Sequence, residues 1–146
     1  MVGLYGRSWT RQELARHVGR DSQLGGVRLG ELTDSSARGV RVADIDTGSG
    51  LTYTVLLDRG MDIGVARFKG ASLTWDSATG PAHPAYFEPE GYGWLRTFHG
   101  GLVVTCGLTT AGAPSVDEGE ELGLHGRISH TPADNVWADG AWRGDE

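Results

Sequence analysis

Apolar and polar residues alternate along most of this chain with the two-residue period of a strand, not the 3.6-residue period of a helix. One helix is expected, near the start. Thr10 and Glu13 fit a capping box, Leu14 and Val18 form an i, i+4 apolar pair, and Gly19 supplies a stop. Its length should be about two to three turns. Residues 27–32 and 40–45 then alternate, and a Thr47-Gly48-Ser49-Gly50 turn leads into the β-branched and aromatic run 51–57. A corner at Asp58-Arg59-Gly60-Met61-Asp62 precedes strand-like residues 63–68, and Lys69-Gly70 turns into 71–75. Sequential strands with short turns predict an antiparallel meander and an all-β fold.

The remaining segments are less regular. Pro81, Pro84 and Pro89 fall in a long loop over residues 76–93, whose Tyr86, Phe87 and Tyr92 argue for packing across another element. Residues 94–98 and 102–108 resume a strand pattern, an acidic loop follows over 109–120, and 121–128 read as a further strand. At the end, Asp139-Gly140 between Val136-Trp137 and Ala141-Trp142 has the signature of a hairpin turn. A hairpin whose outgoing strand has scarcely begun at Glu146 predicts that the chain is truncated at its C-terminus. The expected organisation is therefore a segment with a short helix over 1–20, then part of a larger β-structure over 21–146. Unpaired strand edges and inner-face residues such as Val55, Leu57 and Val103 would favour self-association.

Composition narrows the function classes. Glycine, at 24 residues, exceeds twice the usual share of about 7%, and its spacing between strand-like runs suggests many turns and bulges. A net charge of -6 without a Lys/Arg stripe argues against nucleic acid or an anionic membrane as partner. No apolar run approaches the roughly 18 residues of a membrane span, and residues 1–20 lack a signal-peptide core, so the cytoplasm is expected. The single cysteine, Cys106, excludes an internal disulfide framework and reads as a buried thiol in an apolar strand.

Candidate chemistry centres on His125. On a strand, His125 and Arg127 would point the same way, with Gly123 and Gly126 leaving room for close approach to the backbone. Such a face suits ligand binding, with Arg127 offering its fork of donors; a structural histidine and an Arg127 paired with Asp117 are the plainer reading. Arg59 and Asp62 could aim a charged pair at a cleft, or simply hold a tight corner. Arg96 and His99, beside Gly100-Gly101, could line the same cleft, and Trp75 and Trp94 could stack on a sugar or belong to the core. Because His83, His99, His125 and His130 lack HxH or HExxH spacing, a metal-binding β-barrel is only an alternative.

Three motifs occur in order: Leu57-Asp58-Arg59-Gly60-Met61-Asp62-Ile63-Gly64, then residues 93–98 with 100–108, then Gly123-Leu124-His125-Gly126-Arg127-Ile128-Ser129. Together they closely resemble a bacterial aldose-1-epimerase-like family, long labelled a domain of unknown function, within the galactose-mutarotase-like superfamily. The resemblance covers nearly all of the chain after the first helix, and members of the family are much longer.

It implies an antiparallel β-sandwich (the galactose-mutarotase-like supersandwich), present here as its N-terminal part. It also implies a free monosaccharide as partner and isomerase chemistry without a cofactor. In that superfamily a histidine protonates the ring oxygen while a glutamate takes the anomeric hydroxyl proton. The ring then opens and recloses as either anomer. A Leu-His-Gly motif supplies a sugar-binding histidine, which Leu124-His125-Gly126 matches. The acid histidine and base glutamate belong to later motifs that this sequence does not reach, so no catalytic residue is assigned and the chain alone is expected to be inactive. Mutarotases also carry an arginine before Leu-His-Gly; residues 102–108 have none, leaving Arg96 or Arg127 to substitute. A carbohydrate-binding protein without mutarotation is the alternative from another class.

Overall fold

The computed structural model describes residues 1–145. Its centre is a five-stranded antiparallel meander in the order β3 (Gly26–Glu31), β4 (Arg41–Asp46), β5 (Leu51–Leu56), β6 (Asp62–Phe68) and β7 (Ala71–Ser72). Before it come a small hairpin, β1 (Val2–Leu4) with β2 (Arg7–Trp9), and helix α1 (Arg11–Leu14). After it, β8 (Trp75–Asp76) pairs with β9 (Gly100–Gly101), and β10 (Ser115–Asp117) pairs with β11 (Glu120–Leu122). Every pairing is antiparallel, as the strand alternation predicts. No helix among the described residues is long and apolar enough to cross a membrane.

Register decides which residues share a face. Val42 lies opposite Leu56, and Asp44 opposite Thr54, on one face of β4 and β5. On the other face Ala43 lies opposite Val55, and Ile45 opposite Tyr53. Val40, Val42 and Leu56 form a buried cluster joined by Leu32, so the first face carries the core. A bulge in the β5–β6 pairing, between Tyr53 and Val55, sets Gly64 against Leu56 and turns Val65 outward.

Several expected elements take another form. The Thr10–Glu13 capping box is present, with both reciprocal bonds, but α1 is a single turn. Residues 94–98 lie largely in a 3-10 helix, Gly93–Thr97, because Trp94 and Thr97 are buried together by the loop's return. Of 102–108, only Val103 bridges to Ile63, and Cys106 is exposed, not buried. Val103 and Val55 remain partly open, whereas Leu57 is buried.

The hairpin expected at 136–142 is absent. The segment instead follows the second sheet face past Val27, Ile45 and Val55, leaving Trp137 82% exposed. It is anchored by Ala133 N–H donating to Leu57 O (2.8 Å) and Trp142 Nε1–H donating to Asp21 Oδ2 (2.7 Å). Apolar area on the sheet outcompetes a local turn with no partner strand to bury.

Candidate functional site

The corner after β5 turns Arg59 into the interior. Arg59 N–H donates to Leu56 O (3.0 Å) and Asp62 N–H to Arg59 O (3.0 Å), closing the turn tightly. Outside it, Asp58 accepts Arg41 N–H (2.7 Å) and Arg41 Nε–H (2.9 Å). Burial alone would raise the Asp58 carboxyl, but these bonds outweigh it and hold it below the ordinary carboxylate range.

Arg59 is 0% exposed and spends its fork of donors on three separate segments. Nε–H donates to Ser129 O (2.9 Å), one terminal nitrogen to Ala82 O (2.9 Å), and the other to Thr97 O (3.0 Å). That last nitrogen also lies 3.2 Å from His130 Nε2. Burial draws the guanidinium below its ordinary value, with Asp62 opposing the change. Three chain segments that are distant in sequence are thus locked around one cation.

Asp62, also 0% exposed, accepts Thr105 N–H (2.6 Å) and Thr105 Oγ1–H (2.8 Å) on Oδ1, while Oδ2 has no partner. Burial pushes its carboxyl up, against Thr105 and Arg59. His99, 3% exposed, stands with Nε2 3.9 Å from Asp62 Oδ2, and neither ring nitrogen makes a hydrogen bond. Burial, aided by Arg59, lowers His99 to about 4, so at neutral pH this is a neutral imidazole beside a carboxyl and not an ion pair.

His125 sits in a tight loop, not on a strand. Its φ is 57°, a left-handed conformation that costs a residue with a β-carbon roughly 1–2 kcal/mol. Backbone bonds hold it there: His125 N–H to Gly112 O (3.1 Å) and Gly107 N–H to His125 O (2.9 Å). The ring stands edge-on to Trp94 at 4.8 Å, with Nδ1 buried and without a partner. Strain of this kind concentrates at functional sites. What approaches the flanking glycines is the chain itself: a β-carbon at Gly123 would strike the Pro89 carbonyl, and one at Gly126 would meet Gly107 O at 2.6 Å. Because the chain turns here, His125 and Arg127 do not share a strand face.

Arg127 is exposed and lines a surface cleft of about 450 Å³ with Glu90, Ser115 and Glu121. Arg96 is exposed and pairs with Glu88 at 2.5 Å. The structure therefore gathers Arg59, Asp62 and His99 in the interior, sets His125 at its edge, and leaves Arg96 and Arg127 outside. The four candidate histidines do not converge, and no group of three or more metal-ligating side chains occurs among the described residues.

Sequence reasoning missed the role of His130. Its Nδ1 is 3.0 Å from Ser129 Oγ, its Nε2 is 2.7 Å from Thr97 Oγ1, and Phe87 stacks on its ring at 3.8 Å. Ser129 Oγ in turn accepts Trp94 Nε1–H (2.8 Å). A path of direct contacts thus runs from Arg59 through His130, Ser129 and Trp94 to His125. Only the run Ile128-Ser129-His130 directly after the glycine-flanked histidine could have signalled it.

Comparison with known proteins places this arrangement. No curated protein matches the chain. A solved structure from Klebsiella pneumoniae subsp. pneumoniae, described as a "putative aldose 1-epimerase", is similar with 28% identity and a TM-score of 0.67. The match covers 77% of this chain and 32% of that one, so this chain spans about a third of that protein's length. The likeness gives it the all-β, mutarotase-like fold. Residues 37–146, which include all three motifs, match the family described as "Domain of unknown function (DUF4432)", and the chain belongs to that family.

Proposed function

We propose that this chain forms the sugar-binding wall of an aldose-1-epimerase-like protein that acts on a free monosaccharide in the cytoplasm. The observation that carries the reading is His125 of Leu124-His125-Gly126, held in a strained loop edge-on to Trp94. A strained histidine beside an aromatic ring suits a pyranose, because the imidazole exchanges hydrogen bonds with hydroxyls while the indole meets C–H groups. Two residues on, Arg127 opens onto the neighbouring cleft, where its planar fork would bridge adjacent hydroxyls. Proton transfer at the ring oxygen and the anomeric hydroxyl would come from groups outside this chain. His99 and His130, held neutral in the interior, are not poised for that exchange near neutral pH.

Titration of the purified chain with D-galactose and D-glucose tests the binding, with tryptophan fluorescence as the readout. Saturable change that is lost in His125→Gly is the expected result. A response that survives that substitution unaltered would remove His125 from the site. Polarimetry on the same samples reports whether mutarotation accompanies binding.

A further inference from the structure

Glycine at 140 answers no need of the fold. The residue lies outside regular secondary structure, its φ is not left-handed, and an added β-carbon would meet nothing within 4 Å. The primed turn that Asp139-Gly140 would suit does not form. What glycine leaves at this position is an uncrowded amide nitrogen next to a carboxyl group.

The two groups are already in place. Gly140 N–H donates to Asp139 Oδ1 at 2.8 Å and to no other acceptor among the described residues. A carbon–oxygen bond of about 1.2 Å then puts Asp139 Cγ within about 4 Å of that nitrogen. Both residues are exposed, so water has access. Asp134 accepts the same 2.8 Å bond from the next amide, but Asn135 carries a side chain, which bonds the second carboxylate oxygen at 3.3 Å. At Asp76-Ser77 the amide donates to His99 O, and at Asp21-Ser22 the carboxylate holds the Trp142 indole. Asp139 thus combines proximity with an unhindered neighbour.

Attack of Gly140 N on Asp139 Cγ closes a five-membered succinimide. The amide proton, a carboxyl oxygen and one proton from solvent leave together as water. Water then adds to either imide carbonyl, and the borrowed proton returns to solvent. Opening at Cγ restores aspartate, whereas opening at the main-chain carbonyl leaves the chain running through Cβ and Cγ, as isoaspartate. Mass is unchanged and water is the only co-reactant. The new linkage adds one carbon, roughly 1.5 Å of chain, between the anchors at Ala133 and Trp142. We propose that Asp139-Gly140 is a modification site at which the main chain rearranges spontaneously to isoaspartate, and that the rearrangement frees Trp142 from Asp21.

The test ages the full chain for several weeks at physiological temperature and neutral pH in ¹⁸O-labelled water. Peptides are then mapped by liquid chromatography and electron-transfer fragmentation. Isoaspartate at 139, carrying one heavy oxygen from succinimide hydrolysis, should exceed that at Asp134 several-fold. Gly140→Val fits the open space and should slow the reaction at least about tenfold. Asp139→Glu, whose ring would need a sixth member, should abolish it. In ¹H–¹⁵N spectra of the purified isomer, the indole cross-peak assigned by Trp142→Phe should move toward its position in Asp21→Ala. Equal isoaspartate at 134 and 139, or an undiminished rate in Gly140→Val, would overturn the site. An unmoved indole peak would overturn the release of Trp142.

Discussion

Arg59 and His130 face each other across 3.2 Å in the interior, a permanent cation against an imidazole nitrogen. A guanidinium can only donate, so a hydrogen bond from Arg59 needs a lone pair on His130 Nε2, the same nitrogen that lies 2.7 Å from Thr97 Oγ1, while Nδ1 lies 3.0 Å from Ser129 Oγ. Burial, with Arg59 and His99 adding repulsion, lowers His130 to about 3 and keeps the ring neutral. A cation 71 positions away in sequence thus adds to burial in holding this imidazole uncharged.

Replacing Arg59 should be among the most damaging single changes in the chain. Arg59→Met leaves three buried carbonyls without a donor and should cost about 3 kcal/mol or more. Arg59→Lys should recover only part, because an ammonium cannot span the same fork of acceptors. Urea midpoints at unchanged slope measure both. An Arg59→Met midpoint close to that of the wild type would contradict the keystone role.

The two neutral histidines predict acid sensitivity. His99 and His130, at about 4 and about 3, lie below the ordinary value of 6.5, so the unfolded chain binds more protons between those values. Their contribution is complete above about pH 6.5 and is lost as pH falls through their folded values. Asp62 works the other way: its raised carboxyl is least favourable when ionised, so acid relieves it. With two histidines against one carboxyl, urea midpoints should fall steadily from about pH 7 to about pH 4.5. A smaller slope in His130→Gln would assign the effect, and an unchanged one would refute it.

His125→Gly should separate stability from binding. Glycine relieves the left-handed strain, worth roughly 1–2 kcal/mol, and loses the Trp94 edge contact, worth about 0.5–1.5 kcal/mol. Net stability should stay within about 1 kcal/mol of the wild type while the sugar response disappears. Thermal melts beside the fluorescence titration check both halves.

Gly123→Ala should loosen the contact between the Pro89 loop and the His125 loop. The new methyl would strike the Pro89 carbonyl, a backbone atom that cannot rotate away. A loss of roughly 1–3 kcal/mol is expected, as for overpacking in a core. A neutral result in a urea titration would show that residues 89–91 move freely.

Cys106 should react with a thiol reagent in the folded protein, since it is exposed. Labelling at the rate of the denatured chain is the expected outcome. Protection under native conditions would return it to the buried role that its apolar neighbours suggest.

The sequence by itself determined the meander. Alternation over β3 to β6 and the turns at Gly48-Ser49-Gly50 and Lys69-Gly70 are local signals, and a period of two leaves one pairing that buries Val42 against Leu56. The α1 capping box was legible for the same reason, with donor and acceptor three residues apart.

Tertiary structure decided the rest. Residues 136–142 carry a sound hairpin signal, but the exposed sheet face offers them more apolar contact than their own turn does. Residues 123–127 alternate like a strand, yet the Pro89 and Gly107 carbonyls pressing on Gly123 and Gly126 force a loop that turns His125 away from Arg127. Nor could spacing reveal that Arg59 would be buried, because its partners at Ala82, Thr97 and Ser129 are backbone carbonyls, which every residue possesses. Strand periodicity is written in side-chain chemistry, whereas this interior is built on main-chain oxygens that only the complete fold brings together.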